Sequence, residues 1–187
     1  MKYLINDEMG LTQCCIIILC FASVFSKSIN ISSCGESETQ PLIEIGSKYY
    51  LINSATAMNW FNAALYCRNY DMDLAVIESA AEMNALSSYL TTNEGYVSLY
   101  FWLGVTDLAE KRKFMSLKDG RPVLYAKWVK GQPNDAGQNE NCVHLQAFDK
   151  IFYMTVKNCM SYFHTICEVR QSKKTCDMWD LKKFMER

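Results

Sequence analysis

The sequence predicts an α+β domain held by disulfides. Three observations carry this. Two stretches with apolar residues at helical spacing occupy the first half of the chain, and several short β-prone runs separated by polar, turn-rich segments occupy the second. Once an apolar N-terminal run is set aside, six of the nine cysteines remain, an even number.

The chain has 187 residues and a formal net charge of -1, with 21% charged and 50% hydrophobic residues. That length suits one domain. No basic face or long run of one sign stands out, so nucleic acid is not an expected partner. Cys14, Cys15 and Cys20 lie inside CCIIILCFASVF, which is shorter than the roughly 20 apolar residues of a membrane span. The run ends in small residues and reads as a signal peptide over residues 1–28, with cleavage near Ser26 to Ser28. Its leading segment holds Lys2 but also Asp7 and Glu8, and Met9 is a second candidate start. Asn30-Ile31-Ser32 is a glycosylation sequon just past that cut, in agreement with export.

The elements follow in order. Residues 29–44 are a polar lead-in. KYYLIN (48–53) has strand composition, and TAMNWFNAALYCRNY is an amphipathic helix with Trp60, Ala64 and Cys67 on its buried face. Ser79 and Glu82 form an S-x-x-E capping box ahead of a second helix lined by Met83, Leu86 and Leu90. Beyond about residue 98 the runs SLYFWLGVTD, FMSL, CVHLQAF, IFYMTV and HTICEV read as short strands. Residues 170–187 form a tail that carries Cys176.

Read together, NWFNAALYC, LAVIES, FWLGVTD, KWVKGQPND, NENCVHL and HTICE resemble, in that order, the landmarks of a C-type lectin-like domain over residues 45–169. FWLGVTD is similar to that family's central WIGL motif, and the lead before Lys48 lacks the extra cysteine pair of the family's long form. The chain resembles secreted single-domain lectins of insects. The resemblance implies that Cys67 pairs with Cys167 and Cys142 with Cys159; Cys34 and Cys176 are then left as a third pair by elimination.

In sugar-binding members a calcium ion sits in the long loop and the sugar's hydroxyls coordinate it. Calcium takes roughly six to eight oxygen ligands. On the resemblance, Gln132, Pro133 and Asn134 match the first ligand motif, with a cis peptide before the proline, and Glu140 matches the next ligand. The family's closing Trp-Asn-Asp motif is replaced here by Met154-Thr155-Val156, so Thr155 offers only a hydroxyl, Val156 only its carbonyl, and Asn158 is out of register. Asp149 is a candidate helper from the next loop. Asp107 and Asp135 match the auxiliary site, where Lys111 and Asn141 stand in place of acids and Glu110 falls one residue early. Glutamine at the first position leans toward galactose; asparagine at the third is the mannose-type residue. Trp128 is expected in the core, and His144 and His164 are expected as hydrogen-bonded structural residues.

Two functions follow as expectations: a secreted lectin binding glycans or glycoproteins with calcium assistance, or a calcium-independent module of the same fold that binds a protein partner. Catalysis is not expected. The two histidines sit in apparent strands with no nucleophile beside them, and the cysteines have no zinc-type spacing.

Overall fold

The computed structural model describes residues 41–170. The expected signal peptide, Asn30, Cys34 and Cys176 lie outside the described residues, and with them the expected third disulfide and the sequon.

Strand β1 (Ile43–Ile45) pairs with β2 (Lys48–Met58), which is longer than the KYYLIN core because it continues past an irregularity. There Asn53 Oδ1 accepts from the Ala55 and Thr56 amides at 3.1 and 3.2 Å, and pairing with the last strand resumes at Met58. Helix α1 (Trp60–Asn69) therefore starts later than expected, at Asn59, whose side chain accepts from the Asn62 amide at 2.9 Å. It buries Trp60, Ala63 and Cys67; Ala63 takes the inward position expected of Ala64, which is half-buried.

After β3 (Met72–Leu74), helix α2 (Ala80–Thr92) buries Met83, Leu86 and Leu90 as its spacing predicts. Ser79 caps it by accepting from the Glu82 amide at 3.1 Å. The reciprocal half of the box differs. Glu82 accepts from the Glu78 amide at 3.0 Å, while its other oxygen receives Lys48 Nζ at 2.8 Å and Tyr50 OH at 2.7 Å. A one-turn helix, α3 (Glu94–Val97), follows.

The remaining strands are β4 (Phe101–Thr106), β5 (Met115–Ser116), β6 (Cys142–Phe148), β7 (Ile151–Lys157) and β8 (Phe163–Val169). They complete a sheet in the order β1-β2-β8-β4-β6-β7, with β3 on β8 and β5 on β4; β4 and β8 are parallel and the other pairs antiparallel. Alternation along β4 builds two cores. Phe101, Leu103 and Val105 join Met83, Leu86 and Leu90 of α2, whereas Trp102 joins Trp60, Ala63 and Cys67 of α1. Gly104 is where β4 presses on β3. Its amide donates to Ala75 O at 2.7 Å, and a β-carbon there would run into the Leu74 carbonyl.

Both implied disulfides of the described residues form. Cys67–Cys167 ties α1 to β8 across 100 residues, and Cys142–Cys159 ties the start of β6 to the turn after β7 across 17. In the chain-entropy model such closures contribute roughly 4.7 and 3 kcal/mol. The second fixes the foot of the long loop that leads into β6. The loop's head is fixed on β7, where Met154 N donates to Lys127 O at 2.7 Å and Val129 N to Met154 O at 3.0 Å. Trp128 packs at the core edge against Phe114, with ring centroids 5.1 Å apart.

Candidate functional site: the long loop before β6

The peptide between Gln132 and Pro133 is cis. Such a bond is rare outside tight turns, and here it begins a loop tied back onto itself. Gln132 Oε1 accepts from the Asn134 amide at 3.2 Å and from the Val156 amide at 3.4 Å, and Asn134 Oδ1 accepts from Ala136 N at 3.3 Å. Asp135 takes a left-handed backbone, φ 55, and its Oδ1 accepts from the Glu140 amide at 3.0 Å. Glu140 is buried and returns the contact, its Oε2 accepting from Ala136 N at 3.0 Å. Gln132, Asn134 and Glu140 are thus brought into one loop. Asn134, Gln138 and Asn139 are exposed.

Cationic side chains are threaded through this loop. Lys157, the last residue of β7, places Nζ 3.2 Å from Glu140 Oε1. Lys111 places Nζ 2.8 Å from Asp135 Oδ2 and 2.8 Å from Asn141 Oδ1. The Lys111 ammonium holds the Asp135 carboxyl below the usual carboxylate range. The Arg112 guanidinium donates to the carbonyls of Pro133 and Asn134. Arg112 and Lys157 escaped the sequence reading: their partners lie 21 and 17 residues away, and no motif spacing signals the pairing.

Two other expected ligands, Thr155 and Asp107, are buried beside the loop: the Val156 amide donates to Gln132 and the Asp107 amide to Asn141 O at 3.1 Å. Thr155 is buried and its hydroxyl donates to Val156 O at 3.3 Å. Asp107 is buried; Oδ2 accepts from Arg112 N at 2.9 Å, and Oδ1 has no partner among the described residues. Asp149 sits in the β6–β7 turn, at the far end of a strand of seven residues, about 20 Å from the Cys142 end. It cannot assist at Glu140. The histidines also differ from expectation. His144 is buried between Tyr100, stacked at 5.6 Å, and Phe163, edge-on at 4.5 Å, and its Nδ1 has no hydrogen-bond partner; nor has that of His164. Burial, with Lys157 adding to it, pushes the His144 pKa down to about 3.

The model of the Lectin C-type domain family matches residues 56–169. The chain belongs to the C-type lectin domain family. It is 31% identical over 137 residues to C-type lectin 37Db of Drosophila melanogaster, covering 71% of this chain and 87% of that one. Among solved structures it is similar to the C-type carbohydrate-recognition domain of cow CD23 (28% identity, TM-score 0.57, 71% of this chain and 94% of that one). It is also similar to a calcium-independent type II antifreeze protein (26% identity, TM-score 0.56, 68% and 89%). C-type lectin domains are binding modules, not enzymes.

Calcium is the ion this family implies, and the residues of this C-type lectin domain do not fit it. Gln132, Asn134 and Glu140 would be its ligands, yet the only carboxylate among them is already neutralised by Lys157. No acid stands at Met154, Thr155 or Val156, and Lys111 is bound between the two side chains of the auxiliary position. Among the described residues no group of three or more His, Cys, Asp or Glu could hold a metal ion. An ammonium already bound to these oxygens repels a divalent cation.

Proposed function

We propose that this chain is an exported, carbohydrate-binding C-type lectin domain whose loop recognises sugar hydroxyls directly, without calcium. The hydrogen bonding of Gln132 and Asn134 carries the reading, because both side-chain carbonyl oxygens accept backbone amides. Their NH2 groups remain as donors, and sugar hydroxyls accept. The lean to galactose rests on Gln132. Export is supported by the disulfides, which persist in oxidising compartments.

The test is retention of the full chain on galactose and mannose resins, with calcium and with chelator. Equal retention in both buffers, greater on galactose and lost on Asn134→Ala, is expected. Elution by chelator would restore the calcium-assisted lectin. Failure to bind either resin would favour the second reading, a protein-binding module. Met160 and Tyr162, 59% and 68% exposed just after Cys159, favour that reading.

A further inference from the structure

The β6–β7 hairpin carries a second feature at the end opposite Glu140. Phe148 and Ile151 face each other across the turn, and Tyr153 follows two residues on, on the same face. With Trp128, Val129, Lys130 and Asp149 they line an open cleft of about 530 Å³, a size typical of small-ligand sites. Phe148 and Ile151 are each 43% exposed, and together with Tyr153 they form a contiguous apolar face. The cleft adjoins the lectin loop, since Gln132 N donates to Val129 O at 2.9 Å.

The charges around it are unbalanced. Lys127 stands 4.7 Å from the centroid of the Tyr153 ring, Lys130 lines the cleft, and Lys150 shares the turn with Asp149. None of these three lysines forms an ion pair among the described residues, and Asp149 is the one acid at the cleft. Elsewhere in the described structure lysines are neutralised, as Lys48, Lys111, Lys118 and Lys157 show. Asp149 and Lys150 are both left-handed, φ 47 and 61, as the two central residues of a tight hairpin turn require.

Aromatic faces carry partial negative charge and attract the polarised C–H face of a pyranose ring. Unpaired ammonium groups at the rim attract an anion, and a carboxylate accepts hydroxyls. We propose that this cleft is a subsite for an acidic sugar residue, stacked on Tyr153 and Phe148, with its anionic group held by Lys127 and Lys130. The proposal rests on the glycan-binding reading above and extends it: the loop binds hydroxyls, and the cleft selects glycans that carry negative charge one residue or more away.

The test is equilibrium binding of the full chain to three disaccharides: one bearing a sulfate ester, one bearing a uronate, and their neutral counterpart. An acidic hexapeptide is the fourth probe. At least one acidic sugar is expected to bind about tenfold tighter than the neutral one, with the preference fading as salt is raised. Which of the two wins identifies the source of the charge. Lys130→Ala, at an exposed position, is expected to abolish the preference and leave binding of the neutral disaccharide unchanged; Phe148→Ser, which removes a stacking face, is expected to weaken binding of the acidic sugars. Equal affinity for neutral and acidic sugars, a preference that survives both substitutions, or tighter binding of the peptide would overturn the subsite. If the neutral sugar binds and the acidic ones gain nothing, the subsite fails and the lectin reading stands. If no sugar binds at all, the lectin reading fails with it.

Discussion

At the scale of single residues, histidine 144 shows how burial alone sets chemistry. Its ring is enclosed by Tyr100, Trp102 and Phe163, and its Nδ1 finds no partner. The charged form is therefore disfavoured, and the folded pKa is about 3 against about 6.5 in an unfolded chain. As pH falls through that window the unfolded chain takes up a proton that the native state refuses, so stability falls; above the window His144 contributes nothing. His144→Phe is expected to flatten the pH dependence between those values, by an amount of order a few kcal/mol, in urea unfolding with disulfides intact. Asp135 adds a dependence of the same direction by the opposite route. Its carboxyl is held low by Lys111, so its contribution is present above the unfolded pKa and is lost on acidification. A variant that steepens the profile or leaves it unchanged would contradict this account of His144.

At the scale of elements, much of the architecture was legible because it depends on local rules. The spacing of Met83, Leu86 and Leu90 and the serine at position 79 predict α2 as it is found. The pattern around FWLGVTD predicts the central strand, and the resemblance it carries implies the two disulfides seen. What was not legible depends on partners distant in sequence. Glu82 abandons Ser79 for Glu78, Lys48 and Tyr50, contacts that require β2 and α2 to be docked first. The start of α1 lies later because β2 resumes its pairing with β8 at Met58, beyond the irregularity at Asn53, and that pairing is invisible to periodicity. Gly104 makes a sharp test of the sheet. Gly104→Ala is expected to cost about 1–3 kcal/mol, the usual penalty for overpacking, since the Leu74 carbonyl is backbone and cannot swing away. A shift in the denaturation midpoint would report it; an unchanged midpoint would mean that β3 and β4 are less firmly pressed together than the geometry implies.

At the scale of the whole molecule, one folding solution recurs: carboxylates gathered from distant segments are tied by lysines. Lys48 joins Glu78, Glu82 and Glu168, and Lys118 joins Glu78 and Glu168, locking β2, the start of α2 and β8. Burial opposes the charge on Lys48, but its three carboxylate partners outweigh that and raise its pKa well above the ordinary value. The same device holds the lectin loop, where Lys157 meets Glu140 and Lys111 meets Asp135 and Asn141. A tethered ammonium supplies one charge where an ion would supply two, which suits positions that have lost their acids. The sequence pointed to the missing acids at Met154, Thr155 and Val156, and to Lys111 as an obstacle to a cation. It did not point to Lys157 and Arg112 as partners of the loop, because their pairing exists only once the hairpin and loop have met. A loop that is complete without calcium should not take up the ion, which titration of calcium into the full chain by calorimetry would reveal. No binding heat, with Glu140→Ala indistinguishable from the parent chain, is the result predicted. Saturable binding in the micromolar range of sensor sites, abolished by Glu140→Ala, would contradict it.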